Sequence, residues 1–410
     1  MEHNKQGNQL KRNVTLPMLI LYGLGNIFGA GIYVLIGEVA GIAGMYIPFS
    51  FILACVVVSF TALAYAELSA RYPVSAGEAV YVNAGFHSPR LSTVVGLSIA
   101  LSGLLSSATI LHGFHGYLST FVETPELITT LIVVMLISTI AIWGISQSIT
   151  ITALLTLIET LGLSLVIYVG FDYVTWDSQT LQSFIPPMDT TLIHAIILGA
   201  FLAFYAFIGF EDMVNIAEEV KDPTKTMPRA IIATLIIATL FYITIAIVSI
   251  SVVPAEILAH SSAPLAKVYE TATHSKATIL SSIAMFAVIN GALIQIIMVS
   301  RIFYGMSTQG WVPSFLSKVH PKTNTPINAT ILASLLVFIL ASLFPILTLA
   351  QSTSFLIFIV FTLVNVSLLL IKVKDPHPEG IRTYPIAIPS IAIIFNVTLL
   401  GFQIVSMFSL

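Results

Sequence analysis

The chain has 410 residues, of which 57% are hydrophobic and only 9% are charged. A soluble domain carries about 25% charged residues, so this composition excludes an ordinary soluble protein and predicts a polytopic membrane protein. The formal net charge of -3 carries no information on partners. The single cysteine, Cys55, lies in an apolar run, which excludes a disulfide framework and a cysteine metal site.

Eleven stretches of the chain reach the roughly 20 apolar residues that a helix needs to cross the hydrocarbon core. Because every span is helical in this interpretation, the predicted fold is all-α. We place the spans near residues 16–44, 47–70, 91–121, 127–145, 151–171, 191–218, 229–253, 278–305, 328–349, 352–371 and 386–409.

The basic residues predict the orientation of these spans. If the N-terminus is cytoplasmic, fourteen of the sixteen Lys and Arg residues fall on the inner side, and only Lys267 and Lys276 fall outside. This asymmetry obeys the positive-inside rule and supports the span count, because one missed helix would invert all later loops. No small-residue cleavage site precedes the first span, so we expect no cleavable signal peptide. The prediction is a multi-pass plasma membrane protein, surrounded by lipid, with a cytoplasmic N-terminus.

The first span has an unusual glycine content. The segment Gly23–Ile36, GLGNIFGAGIYVLI, holds four glycines among fourteen residues. Glycine costs a helix about 1 kcal/mol relative to alanine, so Gly29, Ala30 and Gly31 predict a break in the helix. Unpaired backbone at that depth is tolerated only where it faces protein, a cavity or a ligand. The alternative is close helix packing, since Gly25 and Gly29 form a GxxxG pair.

The sixth span has a similar interruption. Gly209 lies in its middle, and Glu211 and Asp212 follow directly, as expected for the first turn of a new helix. Spans one and six are five spans apart and run in opposite directions, which predicts two inverted five-helix repeats with a binding site between the broken helices. The predicted units are a cytoplasmic tail, two repeats and one additional transmembrane helix, at residues 1–15, 16–172, 190–372 and 383–410.

Two broken helices bring four half-helix ends together. Two of these ends offer free amide groups and a positive dipole to an anion, and the other two offer carbonyl groups to an ammonium group or a cation. An α-amino acid is the simplest ligand that carries both charges. Tyr205, Ala206 and Ile208 flank the second break, so we expect them, with Gly209, to line this pocket.

Four motifs resemble one family of permeases. They are GNIFGAGIYVLIG in span one, AYAELSARYPVSAGEAVYV from Ala64, FYAFIGFEDMVNIAEEVKDPTKTMPRAI from Phe204, and SRIFYGMSTQGWVPSFLSKVHPKTNTP from Ser300. The chain resembles the amino acid-polyamine-organocation (APC) superfamily, and within it the cationic amino acid transporter-like branch of bacterial and archaeal members. Many of these relatives have twelve spans, whereas this chain has eleven.

The resemblance implies a leucine-transporter-type 5+5 inverted-repeat fold with broken helices 1 and 6. It also implies which groups contact the substrate. The amides of Gly29, Ala30 and Gly31 would hold the carboxylate, and carbonyls near Ile27 and at the second break would hold the amine.

Span five departs from the family pattern at Glu159. Relatives often carry a lysine in this stretch, which here reads LLTLIETLGL, and that lysine is thought to couple proton movement. An ionisable residue in mid-span costs about 2.5–3.5 kcal/mol, so a functional role is the first hypothesis. Glu159 is therefore the candidate for proton coupling. The alternatives are a sodium ligand and a hydrogen-bonded structural residue.

Other polar residues have predicted roles at the ends of the spans. The gate candidates are Phe207, Glu218 and Glu219. Glu67 and Arg71 lie one helical turn apart and predict a structural ion pair. The remaining polar candidates in the spans are His112 and His115, as residues flanking the outer vestibule, and Asn290 and Gln295, as interhelical hydrogen-bond donors.

These observations together predict a secondary active transporter that moves an α-amino acid, with a proton as the expected co-substrate. A channel, a transporter-like sensor, an exchanger and a polyamine or organic cation carrier are the alternatives. The chain has no phosphate-binding GxxxxGK[ST] loop and no HExxH motif, so we expect neither ATP as the energy source nor an enzyme activity. We expect no cofactor, metal or nucleic acid partner. The sequence makes no prediction of the oligomeric state.

Overall fold

The computed structural model describes residues 12, 14–74, 77–143, 145–175, 186–187, 189–308, 310–320, 323 and 325–408. Most of the predicted tail 1–15 therefore lies outside the described residues. Within the described ranges the regular structure is helical, apart from one parallel bridge between Val14 and Val220. This agrees with the predicted all-α class.

Fourteen α-helices are described, together with four short 3-10 helices at Gly44–Tyr46, Phe171–Tyr173, Glu211–Glu219 and Ser314–Ser317. In chain order the α-helices are α1 (Leu16–Ala43), α2 (Ile47–Arg71), α3 (Gly77–Phe86), α4 (Pro89–Leu118), α5 (Glu126–Trp143), α6 (Ile145–Gly170), α7 (Thr190–Tyr205), α8 (Pro223–Val252), α9 (Ala255–Ala259), α10 (Pro264–Thr273), α11 (Thr278–Thr308), α12 (Ile327–Leu343), α13 (Ile346–Lys374) and α14 (Ala387–Phe408).

Eight helical stretches in the described part of the chain are long and apolar enough to cross a membrane. One of them, Leu16–Arg71, contains both α1 and α2, which meet at a short 3-10 turn. Two further apolar helices, α7 and α12, are shorter than 18 residues. The chain is thus a multi-pass membrane protein, and the count of eleven spans stays a prediction.

The first span differs from the prediction, because α1 is helical without interruption from Leu16 to Ala43. The contact made by Gly31 shows why a small residue is needed in this helix. A Cβ atom added to Gly31 would overlap Cα and Cβ of Ala206, in the turn that follows α7. Gly31 therefore allows two backbones to pack directly, which is the alternative that the GxxxG spacing offered. The predicted break at Gly29, Ala30 and Gly31 is wrong for this conformation.

The sixth span is interrupted as predicted. Helix α7 ends at Tyr205, residues 206–210 form turns, and a 3-10 helix runs from Glu211 to Glu219. Gly209 adopts φ +127°, a conformation that other residues rarely take. A Cβ atom there would lie 2.8 Å from the side-chain nitrogen Nδ2 of Asn26. The helix that begins after Gly209 is 3-10 rather than α.

Helix α1 lies at the centre of the bundle and packs against α6, α7, α8 and α11. Around it, α2 runs along α7 and α8, while α4 runs along α11 and α13. Asp189 fixes the start of α7, because its carboxylate accepts hydrogen bonds from the amides of Thr191 at 2.7 Å and Leu192 at 3.1 Å. Those two amides lower the pKa of Asp189. The packing of α7 against α1 places the turn after α7 directly against the middle of α1.

Candidate functional site

The centre of the site is the contact between α1 and the turn 206–210. The amides of Ala206, Phe207 and Ile208 donate to carbonyls three residues earlier, at 2.9–3.1 Å, so these amides are satisfied within the turn. In a continuous α1 the amides of the helix are likewise used internally. The carbonyl groups that point out of these two elements are therefore the groups available to a ligand.

Two of these carbonyls face one hydroxyl group. Tyr242, on α8, places its Oη 2.6 Å from the carbonyl oxygen of Ile27 and 2.8 Å from that of Ala206. The hydroxyl carries one proton, so it donates to one carbonyl at a time. Ile27 and Ala206 were both predicted to bind the substrate amine, and the structure brings their carbonyls together. Tyr242 was missed, because a tyrosine in an apolar span carries no distinguishing sequence signal.

Aromatic rings enclose Tyr242. Its ring centroid lies 5.1 Å from that of Phe207, 5.7 Å from that of Phe51 and 5.9 Å from that of Phe28. Phe207, one of the gate candidates, is fully buried, and its ring packs against the ring of Tyr242. The carbonyl pair is therefore shielded from water, which strengthens any hydrogen bond made to it.

Of the residues predicted to flank the interruption, Tyr205 ends α7 and Ile208 lies within the turn 206–210. The Tyr205 hydroxyl lies 2.9 Å from Oγ of Ser106 on α4 and 3.3 Å from the Ser106 carbonyl. This contact ties the end of α7 to a helix of the surrounding scaffold. Ile208 is 7% exposed and belongs to the apolar core. The side chain of Ala30 lies outside the described residues, as do any contacts made by Gly29.

A buried polar cluster lies beside Gly209. Asn26 donates to the Gly209 carbonyl at 3.1 Å and to Oδ2 of Asp212 at 2.6 Å. Gln295, on α11, donates to the same Asp212 oxygen at 2.9 Å and to Oδ1 of Asn26 at 3.1 Å. The Gly209 amide donates to Glu211 at 2.8 Å, as expected for a carboxylate at a helix start. The cluster fixes the interrupted span six against α1 and confirms Gln295 as an interhelical donor.

Glu159 is fully buried on α6. Its Oε1 accepts a hydrogen bond from Asn290 Nδ2 at 2.8 Å, while Oε2 has no partner among the described residues. Asn290 Nδ2 also lies 3.4 Å from the hydroxyl of Thr156, which precedes Glu159 by one turn of α6. Asn290 is thus confirmed as an interhelical hydrogen-bond donor. A Cβ atom on Gly25 would meet both Thr156 and Asn290, so this polar site is pressed against α1. In the described part of the chain no basic side chain pairs with Glu159, although a buried carboxylate would need such a partner.

The comparisons with known proteins identify the family. The family model described as amino acid permease matches residues 15–409, nearly the whole chain. The chain belongs to the amino acid permease family.

Relatives of the permease are transporters rather than enzymes. A branched-chain amino acid permease of Bacillus subtilis is 29% identical over 94% of this chain and 87% of its own length. A methylthioribose transporter of the same organism is 26% identical over 91% of this chain and 84% of its own length. A vacuolar cationic amino acid transporter of Arabidopsis thaliana is 27% identical over 91% of this chain and 65% of its own length.

A solved structure supports the fold of the permease. A Na⁺-coupled sialic acid symporter in a substrate-bound outward-open state superposes with a TM-score of 0.61, covering 95% of this chain and 89% of the symporter. At 16% sequence identity this likeness shows the fold alone. The permease therefore has the fold of the leucine-transporter type that the motifs implied.

Two of the three gate candidates, Glu218 and Glu219, lie near the start of α1. The Val14 amide donates to the Glu219 carbonyl at 3.0 Å, and the Lys221 amide donates to the Val14 carbonyl at 2.9 Å. This bridge joins the start of span one to the end of span six. Glu218 is half-buried, and the buried side chain of Glu219 is attracted by Arg301 on α11.

The ion pair predicted at the end of α2 is part of a larger network in the permease. Arg71 donates to Glu67 at 2.8 Å, and Lys372 on α13 donates to both Glu67 oxygens at 2.6 and 2.7 Å. The Tyr384 amide donates at 2.9 Å, which completes the shell around this fully buried carboxylate. In the sequence Lys372 is simply a basic residue at the end of a span, and the positive-inside rule alone accounts for it. Nothing in the sequence therefore pointed to its contact with Glu67.

At the opposite end, His112 joins three helices of the permease. Its Nδ1 lies 2.5 Å from the carboxylate of Glu126 on α5, and its Nε2 lies 3.0 Å from the Phe344 carbonyl, which follows α12. His115, one turn later on α4, has a buried Nδ1 without a partner in the described part of the chain. The two histidines therefore differ in role, although they share a helix face.

Proposed function

We propose that the permease is a secondary active transporter, which moves an α-amino acid by alternating access and uses a proton as the coupled ion. The observation that carries this proposal is the pair of carbonyls from Ile27 and Ala206 that converge on one hydroxyl of Tyr242. An ammonium group has three donors and a positive charge, so it is a stronger donor to two carbonyls than one hydroxyl.

The carboxylate of the substrate would bind at Gly29, Ala30 and Gly31. In the present conformation α1 is helical there, so this binding mode requires the helix to open locally. Glycine lowers the cost of such opening, because it disfavours the helix by about 1 kcal/mol per residue. The released amides would then hold the carboxylate, while the carbonyls of Ile27 and Ala206 hold the amine. Binding would thus couple the substrate to a rearrangement of α1 against span six.

Glu159 is the proposed carrier of the coupled proton. It is fully buried, one oxygen has no partner among the described residues, and the other accepts a hydrogen bond from a neutral amide. A neutral acid is far less costly than a carboxylate in such surroundings. If the site opens towards water, the carboxylate becomes hydrated and the neutral acid is no longer favoured. Glu159 would then release its proton. A sodium ion is the competing ligand, and the experiment below separates the two.

A neutral aliphatic side chain is the substrate class that the surroundings favour. The interruption is lined by the apolar side chains of Phe207 and Ile208, and the acids nearby are already hydrogen-bonded by Asn26 and Gln295. The relative in Bacillus subtilis is named a branched-chain amino acid permease. A polyamine lacks a carboxylate and would leave the amides of Gly29 to Gly31 without an anion, which counts against that class.

The proposed setting is the plasma membrane, with the N-terminus in the cytoplasm, because fourteen of sixteen basic residues then lie inside. The end of the bundle where α1 begins and α2 ends is then the cytoplasmic end. We further propose that residues 16–172 and 190–372 are the inverted repeats and that residues 383–410 add a peripheral helix.

Uptake by purified protein in liposomes tests this function. Vesicles carry either a pH gradient or a sodium gradient and receive labelled branched-chain, basic and acidic amino acids. We expect saturable accumulation of branched-chain substrates that is driven by the pH gradient. Uptake that needs internal amino acid and ignores both gradients would make the permease an exchanger. Binding without flux would make it a sensor, and flux that does not saturate would make it a channel.

A further inference from the structure

Glu78 is a buried acid that the proposed transport site does not use. It lies in the first turn of α3, a ten-residue helix that is not among the spans, and is 2% exposed. Its Oε1 has no hydrogen-bond partner among the described residues. The hydroxyls of Tyr65 and Tyr81 are also buried without partners in that part of the chain, and both interact electrostatically with Glu78. These three polar groups, which lack hydrogen-bond partners among the described residues, therefore lie close enough to one another to interact electrostatically.

Two acids, Asp212 and Glu211, interact electrostatically with Glu78. It is repelled by Asp212, and it in turn repels Glu211. Three basic residues at this end are engaged elsewhere, since Arg71 and Lys372 bind Glu67 and Lys374 contacts His87 at 2.7 Å. The other charged groups on elements packed against α3 are Arg90 at the start of α4, and Glu218 and Glu219 at the end of the 3-10 helix. Within the described ranges Glu67 therefore forms ion pairs with two basic residues, whereas Glu78 forms none.

Burial raises the pKa of Glu78 to about 8, and repulsion by Asp212 acts in the same direction. Burial likewise raises the pKa of the Tyr81 hydroxyl, so this group stays protonated at neutral pH. No group of three or more His, Cys, Asp or Glu side chains in the described ranges is arranged to hold a metal ion.

A line of polar groups leads from the membrane centre to Glu78. On α11, Asn290 contacts Glu159, and Gln295 contacts Asp212 five residues later, about 7.5 Å further along the helix. Asp212 in turn interacts electrostatically with Glu78. Because α11 is predicted to run inwards, this line descends from Glu159 to the cytoplasmic end.

We propose that Glu78 is a proton-binding residue at the cytoplasmic end of the permease, through which the coupled proton leaves the protein. Asp212 takes up the proton that Glu159 releases and passes it to the carboxylate of Glu78. Glu159 and then Asp212 become carboxylates, and Glu78 becomes a neutral acid. When this end opens, Glu78 gives the proton to water and returns to a carboxylate. The exit role rests on the proposed proton-coupled transport, whereas proton binding by Glu78 does not.

Infrared difference spectroscopy of the purified, full-length protein tests proton binding directly. Between pH 7 and pH 9 we expect a protonated-carboxyl band to disappear, and Glu78→Gln to remove that change. The matched control is Glu379→Gln, at an exposed acid of the same end, which should leave the change intact. An unchanged band in Glu78→Gln would overturn the proposal. If that variant does not fold, Tyr81→Phe should shift the pH at which the band disappears, and an unshifted band would count against the site.

Liposome uptake tests the exit role. We expect Glu78→Gln to lower the ratio of pH-driven accumulation to counterflow at equal pH by at least tenfold, while Glu379→Gln keeps the wild-type ratio. An unchanged ratio in Glu78→Gln, with normal pH-driven uptake by the wild type, would overturn the exit role alone. If the wild type shows no pH-driven uptake, the proposed proton coupling fails together with the exit role, and the infrared band decides proton binding separately.

Discussion

The hydroxyl of Tyr242 lies 2.8 Å from the carbonyl oxygen of Ala206, in the turn that interrupts span six. The same hydroxyl lies 2.6 Å from the carbonyl of Ile27 on α1. One side chain of α8 thus occupies the position from which a ligand amine would reach both halves of the proposed site. In this conformation the hydroxyl of Tyr242 therefore occupies the proposed amine site.

Tyr242→Phe removes this competing donor. We expect the apparent affinity for the amino acid to rise several-fold, because the ammonium group no longer displaces a hydrogen bond worth about 1 kcal/mol. Isothermal titration in detergent measures the affinity. The control is Tyr117→Phe, which removes a hydroxyl that donates to the Tyr33 carbonyl at 2.6 Å on the same helix α1. Equal affinity changes in both variants would contradict the displacement model.

Gly31→Leu should abolish amino acid binding. Its side chain would occupy the space of Ala206, so α1 and the turn of span six would be forced apart. The control is Gly401→Leu on α14, where a Cβ atom meets nothing within 4 Å. Binding and thermal stability of both variants separate a lost site from a lost fold. Unchanged affinity in a folded Gly31→Leu variant would rule out the proposed site.

Glu159→Gln should keep amino acid binding measurable and remove the response of uptake to a pH gradient. Glutamine preserves the shape of the side chain, and it cannot exchange a proton in this range. Uptake into liposomes with and without the gradient provides the measurement. If the variant still accumulates substrate in response to the gradient, the coupling residue lies elsewhere. Uptake by wild type that follows only sodium would instead favour Glu159 as an ion ligand.

Lys372→Met should destabilise the protein by about 3 kcal/mol, because it removes one of the two cations that neutralise the buried Glu67. Thermal unfolding in detergent measures the loss. Asp375→Asn is the control, since its side chain is 59% exposed in the contact with Arg71, and exposed pairs contribute only 0–1 kcal/mol. Similar losses in the two variants would mean that Lys372 stabilises by packing alone.

Glu78 predicts a pH dependence of stability. Its pKa is about 8 in the folded protein and close to 4.5 in the unfolded chain, so the folded state holds an extra proton between these values. The free energy of unfolding should therefore fall as pH rises from about 4.5 to about 8, by at most about 1.4 kcal/mol for each pKa unit. Glu78→Gln should flatten this slope in thermal scans. An equally steep slope in the variant would assign the effect to another group.

The sequence by itself determined the class of the protein and much of the site. Apolar runs of membrane length require helices, and a glycine followed by two acids marked the interruption at Gly209, because those residue types disfavour a continuous helix and favour a new start. The motifs around Gly31 and Ala206 also identified two backbones that meet. These features are local, so composition and spacing record them.

Only the tertiary structure decided which contacts those residues make. The small residues near Gly31 predicted a break, but the helix is continuous, and Gly31 packs directly against Ala206. Tyr242, Lys372 and Glu78 have no local signature, since each acts through partners far away in the chain. A hydroxyl, an ammonium group or a buried acid acquires its role from the groups that packing brings within a few ångströms, and that distance is a property of the fold.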